Sequence, residues 1–218
     1  MGQPILFYFS KMKVNAIIFD LGGVLIDLNY QLTINAFENL GITDFKDLYC
    51  QASQSGVFDT YETGKISTQR FINEVLHFIP KQCSPNLIVK AWNSMILDFK
   101  IDKLNLLLKL KEECRLFLLS NTNALHLDKV YIEWSKISKE PLESFFDKAY
   151  FSHKIGMRKP DSEIFKHLCD ENSLDPENTL FIDDSAQHIE GAEKFGLKTL
   201  LHPQNQALDV NFILTQFN

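Results

Sequence analysis

Three carboxylates stand where this chain can best use them. The run Ala16-Ile17-Ile18-Phe19 ends in Asp20, and two glycines and an apolar pair follow, Leu21-Gly22-Gly23-Val24-Leu25. An apolar run that ends in an acid beside a glycine turn reads as a buried strand whose last residue emerges at its carboxyl end. A second run, Thr179-Leu180-Phe181-Ile182, ends in Asp183 and Asp184. Ligands of open α/β sheets bind outside the carboxyl ends of the strands. Two such ends offering three acids suit a hard divalent cation.

Two further pieces fall at predicted strand ends or in the loops beside them. Ser120-Asn121 follows Leu116-Phe117-Leu118-Leu119, and Lys159 sits in Gly156-Met157-Arg158-Lys159-Pro160. Together the four pieces form a phosphoryl-transfer kit. A carboxylate can attack phosphorus. A hydroxyl and backbone N–H groups can bind the phosphoryl oxygens, while a lysine and a cation neutralise charge that would repel the nucleophile.

Elements must bring these residues together. Strand-like runs at 14–19, 115–119, 148–151, 179–182 and 197–201 alternate in the later part with helical patterns at 102–113, 160–171 and 185–195. The second of these helices is read as opening on Pro160, and the third as opening on Ser185 and stopping at Gly196. Such alternation predicts an α/β fold with a doubly wound parallel sheet. About 95 residues separate the first two strands, where a βαβ unit needs roughly 30. Between 28 and 99 the pattern is helical, with stretches near Leu32–Leu40 and at 44–54, 67–79 and 84–98. The expectation is a helical cap over 28–99, inserted into a core of 1–27 and 100–218.

Composition narrows the classes. In 218 residues, 28 acids against 22 Lys and Arg give a formal charge of −6. That balance argues against nucleic acid or anionic lipid as the main partner. Cys50, Cys83, Cys114 and Cys169 show no zinc spacing and read as reduced core thiols. The apolar Pro4–Phe9 stretch is too short to span a membrane and lacks the marks of a signal peptide, so a cytoplasmic monomer or weak dimer is expected. Met12, just before the first strand, is an alternative start.

The order and spacing of the four motifs resemble the haloacid dehalogenase-like hydrolases, over the whole chain and including the helical cap. The resemblance implies that Asp20 is the nucleophile, Ser120 binds phosphate and Lys159 steadies both. It also implies Mg²⁺ held by Asp20, by Asp184 directly, by the Gly22 carbonyl, and by Asp183 either directly or from behind. Gly22, Gly23, Ser120, Asn121 and Lys159 are the implied substrate contacts. Ser-Asn-Thr-Asn at 120–123, the 156–160 motif and Ile189-Glu190-Gly191-Ala192 look closest to bacterial α-D-glucose-1-phosphate phosphatases.

One position departs from the pattern. Most phosphatases of the family carry Asp two residues after the nucleophile as general acid, and here that position is Gly22. Acid help contributes about 10²–10⁴-fold. The expectation is therefore an easier leaving group, such as an anomeric sugar phosphate, or an acid drawn from the cap or water.

The leading reading is a Mg²⁺-dependent phosphatase for a small sugar phosphate. A dehalogenase would leave Asp183 and Asp184 unexplained, and a phosphonate hydrolase would need a cap lysine, for which Lys65 is a candidate. A binding protein that has lost turnover is the non-enzymatic alternative. Several side residues carry two readings each. Asn123 and His126 line the pocket or cap a helix. Phe58, Tyr61, Glu62 and Lys65 face the substrate or belong to ordinary cap packing and surface. Arg158 reads as surface charge or site, and Trp92 and Trp134 as core.

Overall fold

The chain is described from a computed structural model, which covers residues 14–42, 45, 56–80, 82–208, 212 and 213. Residues 1–11, most of the expected 44–54 helix and Cys50 lie outside these residues.

Five strands form one parallel sheet: β1 (Ala16–Phe19), β4 (Arg115–Ser120), β5 (Lys148–Phe151), β6 (Thr179–Asp183) and β7 (Lys198–Leu201), in the order β5-β4-β1-β6-β7. The strands lie where the apolar runs predict. Parallel sheets are covered on both faces, so their strands read as continuous apolar runs. Ile17 and Phe19 join one hydrophobic layer while Ala16 and Ile18 join the other, and all four are buried. On the second face α8 (Ser162–Asn172) and α9 (Ala186–Phe195) supply Ile164, Phe165, Leu168, Ile189 and Ala192.

Register positions the site. Phe19 pairs with Leu118 on one side and Ile182 on the other, so the next residues, Asp20, Leu119 and Asp183, stand abreast. The chain winds outward from β1 through β4 to β5 and then returns to β6 on the opposite side of β1. That reversal is the switch point at which such sheets open a crevice.

The segment between β1 and β4 differs from the expectation in one respect. It is not helical to both ends: β2 (Ile26–Leu28) and β3 (Ile96–Phe99) form a separate antiparallel pair at its base. Between them run α1 (Tyr30–Asn39), α2 (Val57–Glu62), α3 (Thr68–Phe78) and α4 (Pro85–Trp92). The expected 84–98 helix thus stops at Trp92 and becomes extended at Ile96. Ile96 and Phe99 are buried there against the apolar β2, a tertiary partner that helical periodicity cannot reveal. An aromatic cluster fills the helical unit. Phe37 stacks on Phe45 at 4.2 Å, Tyr61 on Phe71 at 4.3 Å and Phe58 on Trp92 at 5.3 Å.

A second correction concerns α8. It starts at Ser162 with Asp161 as N-cap, so Pro160 lies before the helix rather than in it. Pro160 belongs to the turn that carries Lys159, closed by Asp161 N donating to the Arg158 carbonyl at 3.1 Å. The remaining helices of the core are α5 (Ile101–Lys111), α6 (Ala124–Trp134) and the short α7 (Ser152–Ile155). Trp134 packs, as expected, and no helix among the described residues is long and apolar enough to cross a membrane. Cys83, Cys114 and Cys169 are free thiols, and burial pushes Cys114 up to about 12 and Cys169 up to about 11. Cys114 and Cys169 are therefore inert at neutral pH.

Candidate active site

Lys159 is the centre of the site. Its side chain is wholly buried, and Nζ donates to Asp20 Oδ1 at 2.6 Å, Asp183 Oδ2 at 2.7 Å and the Leu119 carbonyl at 2.9 Å. The ammonium thus spans the ends of the three central strands. Asn121 holds this lysine in place. Its Nδ2 donates to the Lys159 carbonyl and its Oδ1 accepts from the Lys159 N–H, both at 2.9 Å. Both ends of the Asn121 amide are engaged with one residue, so Asn121 aims the lysine. Ser120, the last residue of β4, lines the adjoining cavity together with Asp20, Gly22 and Asp184.

The three acids converge as the sequence predicts. One carboxylate oxygen from each of Asp20, Asp183 and Asp184 falls within 4.8 Å of the others. Their electrostatics differ. Burial opposes the Asp183 charge, but Lys159 and His188 outweigh it and hold the carboxyl down at about 2. Asp184 is pushed up to about 7, by burial first and then by Asp20 and Asp183. Burial also raises Asp20, with Lys159 pulling the other way and Asp183 pushing further up. Burial disfavours the Lys159 charge, yet Asp183 and Asp20 keep it above the ordinary lysine value. The cluster therefore holds more negative charge than one ammonium neutralises. Oxygen donors in excess of local positive charge are what a divalent cation requires. Asp183 spends Oδ1 on the Ser185 N–H at 2.8 Å and Oδ2 on Lys159, and it faces His188 Nδ1 at 3.0 Å. Asp184 is left as the carboxylate with most call for a cation.

Gly23 explains how Asp184 comes so close to the first loop. Gly23 has φ +76, and a Cβ there would collide with Asp184 Oδ2. Only glycine meets both conditions. At Gly22 a Cβ would lie 2.6 Å from Leu28 Cδ1, the end of a flexible side chain.

Other residues resolve into definite places. Asn123 caps α6 through the His126 N–H at 3.0 Å and accepts from Trp92 Nε1 at 3.2 Å. His126 lines the cavity, stacks on Trp92 at 4.6 Å and is held by burial at about 4, so it is neutral. Its Nδ1 faces Asn123 Nδ2 at 3.1 Å and its Nε2 faces the Trp92 carbonyl at 3.1 Å, which assigns the proton to Nε2. Phe58 and Tyr61 belong to the cap core and Lys65 is exposed, whereas Glu62 lines the cavity.

Two cavity residues escape sequence reasoning. Tyr30 opens α1, and its phenol is raised by burial and by Asp184, Asp20, Glu62 and Asp183, so it stays protonated. His188 also lines the cavity, although nothing in its sequence spacing marks it as a metal ligand. Its third place in α9 was the available signal, since helical side chains lean toward the N-terminus, here toward Asp183.

The sequence profile of haloacid dehalogenase-like hydrolases matches residues 14–196. The chain belongs to that family. A D-ribitol-5-phosphate phosphatase of Bacteroides thetaiotaomicron is 29% identical over 194 residues, which is 89% of this chain and 94% of that protein. A haloacid dehalogenase family enzyme of the same organism, solved with magnesium and inorganic phosphate, superposes with a TM-score of 0.86. It is 33% identical, with 91% of this chain and 98% of that one covered. A predicted hydrolase of this family from Porphyromonas gingivalis superposes at 0.83 with 32% identity, over 93% and 97% of the two chains. The family is one of hydrolases, and the relatives of this chain include a phosphatase and an enzyme crystallised with magnesium.

Proposed function

We propose that the enzyme hydrolyses a phosphorylated sugar or sugar alcohol by way of an aspartyl phosphate on Asp20. The observation that carries this reading is the Lys159 bridge, which fixes the Asp20 carboxylate beside two further acids at the switch point of the sheet. Asp20 attacks phosphorus, the ester oxygen departs with the alcohol, and water then releases phosphate from Asp20. Lys159 holds the attacking carboxylate in one orientation and offsets charge on the phosphoryl oxygens. Ser120 and the Gly22 N–H bind those oxygens, the Gly23 N–H instead donating to the Ile26 carbonyl at 2.8 Å, and Asn121 keeps Lys159 aimed. Asp20, Asp184, the Gly22 carbonyl and Asp183, the last directly or through its neighbours, hold Mg²⁺. Bound there, Mg²⁺ neutralises charge that would otherwise keep a phosphate dianion away from Asp20.

The substrate of the ribitol-phosphate relative guides the choice of alcohol. Ribitol 5-phosphate loses a primary alkoxide, a poorer leaving group than an anomeric oxygen. With glycine at position 22, the departing oxygen takes its proton from water or from the cap. The helical unit over 28–99 closes on a core made of 1–27 and 100–218, excluding bulk water while the phosphoenzyme lasts. The setting is cytoplasmic, with the chain a monomer or weak dimer.

Phosphate release from ribitol 5-phosphate, glucose 1-phosphate and 4-nitrophenyl phosphate, with Mg²⁺ and with EDTA, tests the reading. Release that requires Mg²⁺ and falls by at least about 10³-fold in Asp20→Asn is expected. Turnover by that variant near the wild-type rate would contradict the covalent route.

A further inference from the structure

We infer that Asn205, in the loop after β7, is a positioning residue for the Mg²⁺ site: it clamps the segment from Gly23 to Leu28 and so keeps the β1 loop against Asp184. This rests on the Mg²⁺ site of the phosphatase reading above and concerns a residue outside the four motifs.

Residues 202–206 bridge the two strand ends that carry the acids. On the β6 side the His202 N–H donates to the Asp183 carbonyl at 2.9 Å, which ties the loop to the residue before Asp184. On the β1 side Asn205 makes three bonds. Its backbone N–H donates to the Gly23 carbonyl at 3.0 Å. Its Oδ1 accepts from the Leu28 N–H and its Nδ2 donates to the Leu28 carbonyl, both at 2.8 Å. One side-chain amide thus serves Leu28 as a peptide of a neighbouring strand would. Asn205 and Leu28 stand 177 residues apart, so only the fold brings them together. Gln204 packs on the same turn, since a Cβ on Gly23 would collide with Asp184 Oδ2 and meet Gln204 Cγ at 3.0 Å.

The clamp is itself held on the core. The Gln206 carbonyl accepts from Lys103 Nζ at 2.8 Å and faces His202 Nε2 at 3.2 Å. Lys103 lies on α5 and is only 2% exposed, an uncommon place for a lysine. Asn205 sits at φ +59, a left-handed backbone that asparagine tolerates better than most residues. Its partner Leu28 ends β2 and precedes Asn29, the N-cap of α1, so the clamp grips the point where the chain leaves for the helical unit. The Leu28 side chain lines the cavity beside Gly22. With Gly23 and Leu28 both fastened, the turn between them has no slack to carry Gly23 away from Asp184. Asn205 therefore acts as outer partners of metal sites do, by orienting a ligand that it does not touch.

Calorimetric titration of the full-length protein with Mg²⁺, at pH 8 and below the melting transition, tests this in wild type and three variants. Asn205→Ala removes the amide, and Asn205→Gly removes it while leaving the left-handed backbone unstrained. Both should weaken Mg²⁺ binding by about tenfold, the lower end of what such outer partners are worth. The near-isosteric Asn205→Asp keeps the acceptor for the Leu28 N–H but sets an oxygen against the Leu28 carbonyl. It should also weaken binding, and it keeps the test alive where the smaller variants fail to fold. Wild-type Mg²⁺ affinity in the folded variants, even with a lowered Tm, would make Asn205 a structural staple; it would overturn the inference and leave the phosphatase reading standing. Wild-type affinity in Asn205→Gly beside a loss in Asn205→Ala would assign the effect to backbone strain and overturn it too. Folded wild-type protein that takes up no Mg²⁺ would overturn both.

Discussion

At the scale of single residues, the site is a problem in charge balance. Three carboxylates face one ammonium, and the imbalance settles on Asp184, whose carboxyl is pushed up to about 7 against an ordinary 3.8. The sign of the consequence follows directly. Without cation, the folded protein binds this proton more tightly than the unfolded chain does. The stability associated with Asp184 is therefore fully present below about pH 4 and is lost as pH rises through 7. A cation that ligates Asp184 must displace the proton, so Mg²⁺ should bind about tenfold more weakly at pH 6 than at pH 8. Thermal melts at fixed Mg²⁺ concentration check this: the Mg²⁺-dependent rise in Tm should be larger at pH 8. Equal rises at the two values would remove Asp184 from the cation site.

At the scale of elements, turns and strand ends do the positioning. Gly23 brings the β1 loop against Asp184 through a left-handed backbone and the absence of a Cβ. Gly23→Ala should therefore weaken Mg²⁺ affinity by about 10- to 100-fold, the usual cost of disturbing what orients a metal ligand. Calorimetric titration measures it, and wild-type affinity in that variant would show that the loop does not set the carboxylate geometry. This scale also separates what the sequence makes legible from what it hides. The five sheet strands were readable because a parallel strand buried on both faces is one apolar run, and Asp20, Ser120, Asp183 and Asp184 were readable as polar residues ending such runs. Lys159 was readable through its motif, but its bonds to Asp20 and Asp183, 139 and 24 residues away, are contacts that only folding creates. The strands β2 and β3 stayed hidden because each is short and takes its identity from the other across 67 intervening residues. The start of α8 was misplaced because proline suits the first turn of a helix, whereas Pro160 serves the lysine-bearing turn before it.

At the scale of the whole molecule, a parallel sheet carries the three carboxylates and a helical unit adds Tyr30 and Glu62 to the same cavity. They meet around one cavity lined by Asp20, Ser120 and Asp184 at the strand ends and by Tyr30 and Glu62 of the helical unit, with Lys159 buried behind Asp20. The aromatic cluster of Phe37, Phe58, Phe71 and Trp92 gives the helical unit its own core, and Trp92 reaches Asn123 and His126 of the sheet side. That division leaves Asp20 as the one residue on which the covalent account depends. The most direct measurement is mass analysis of the peptide containing Asp20, after rapid acid quench of enzyme mixed with ribitol 5-phosphate and Mg²⁺. The account predicts a peptide heavier by one phosphoryl group, with the modification on Asp20 and none in Asp20→Asn. Steady phosphate release with unmodified peptide at every quench time, or with the phosphoryl group on another residue, would contradict it.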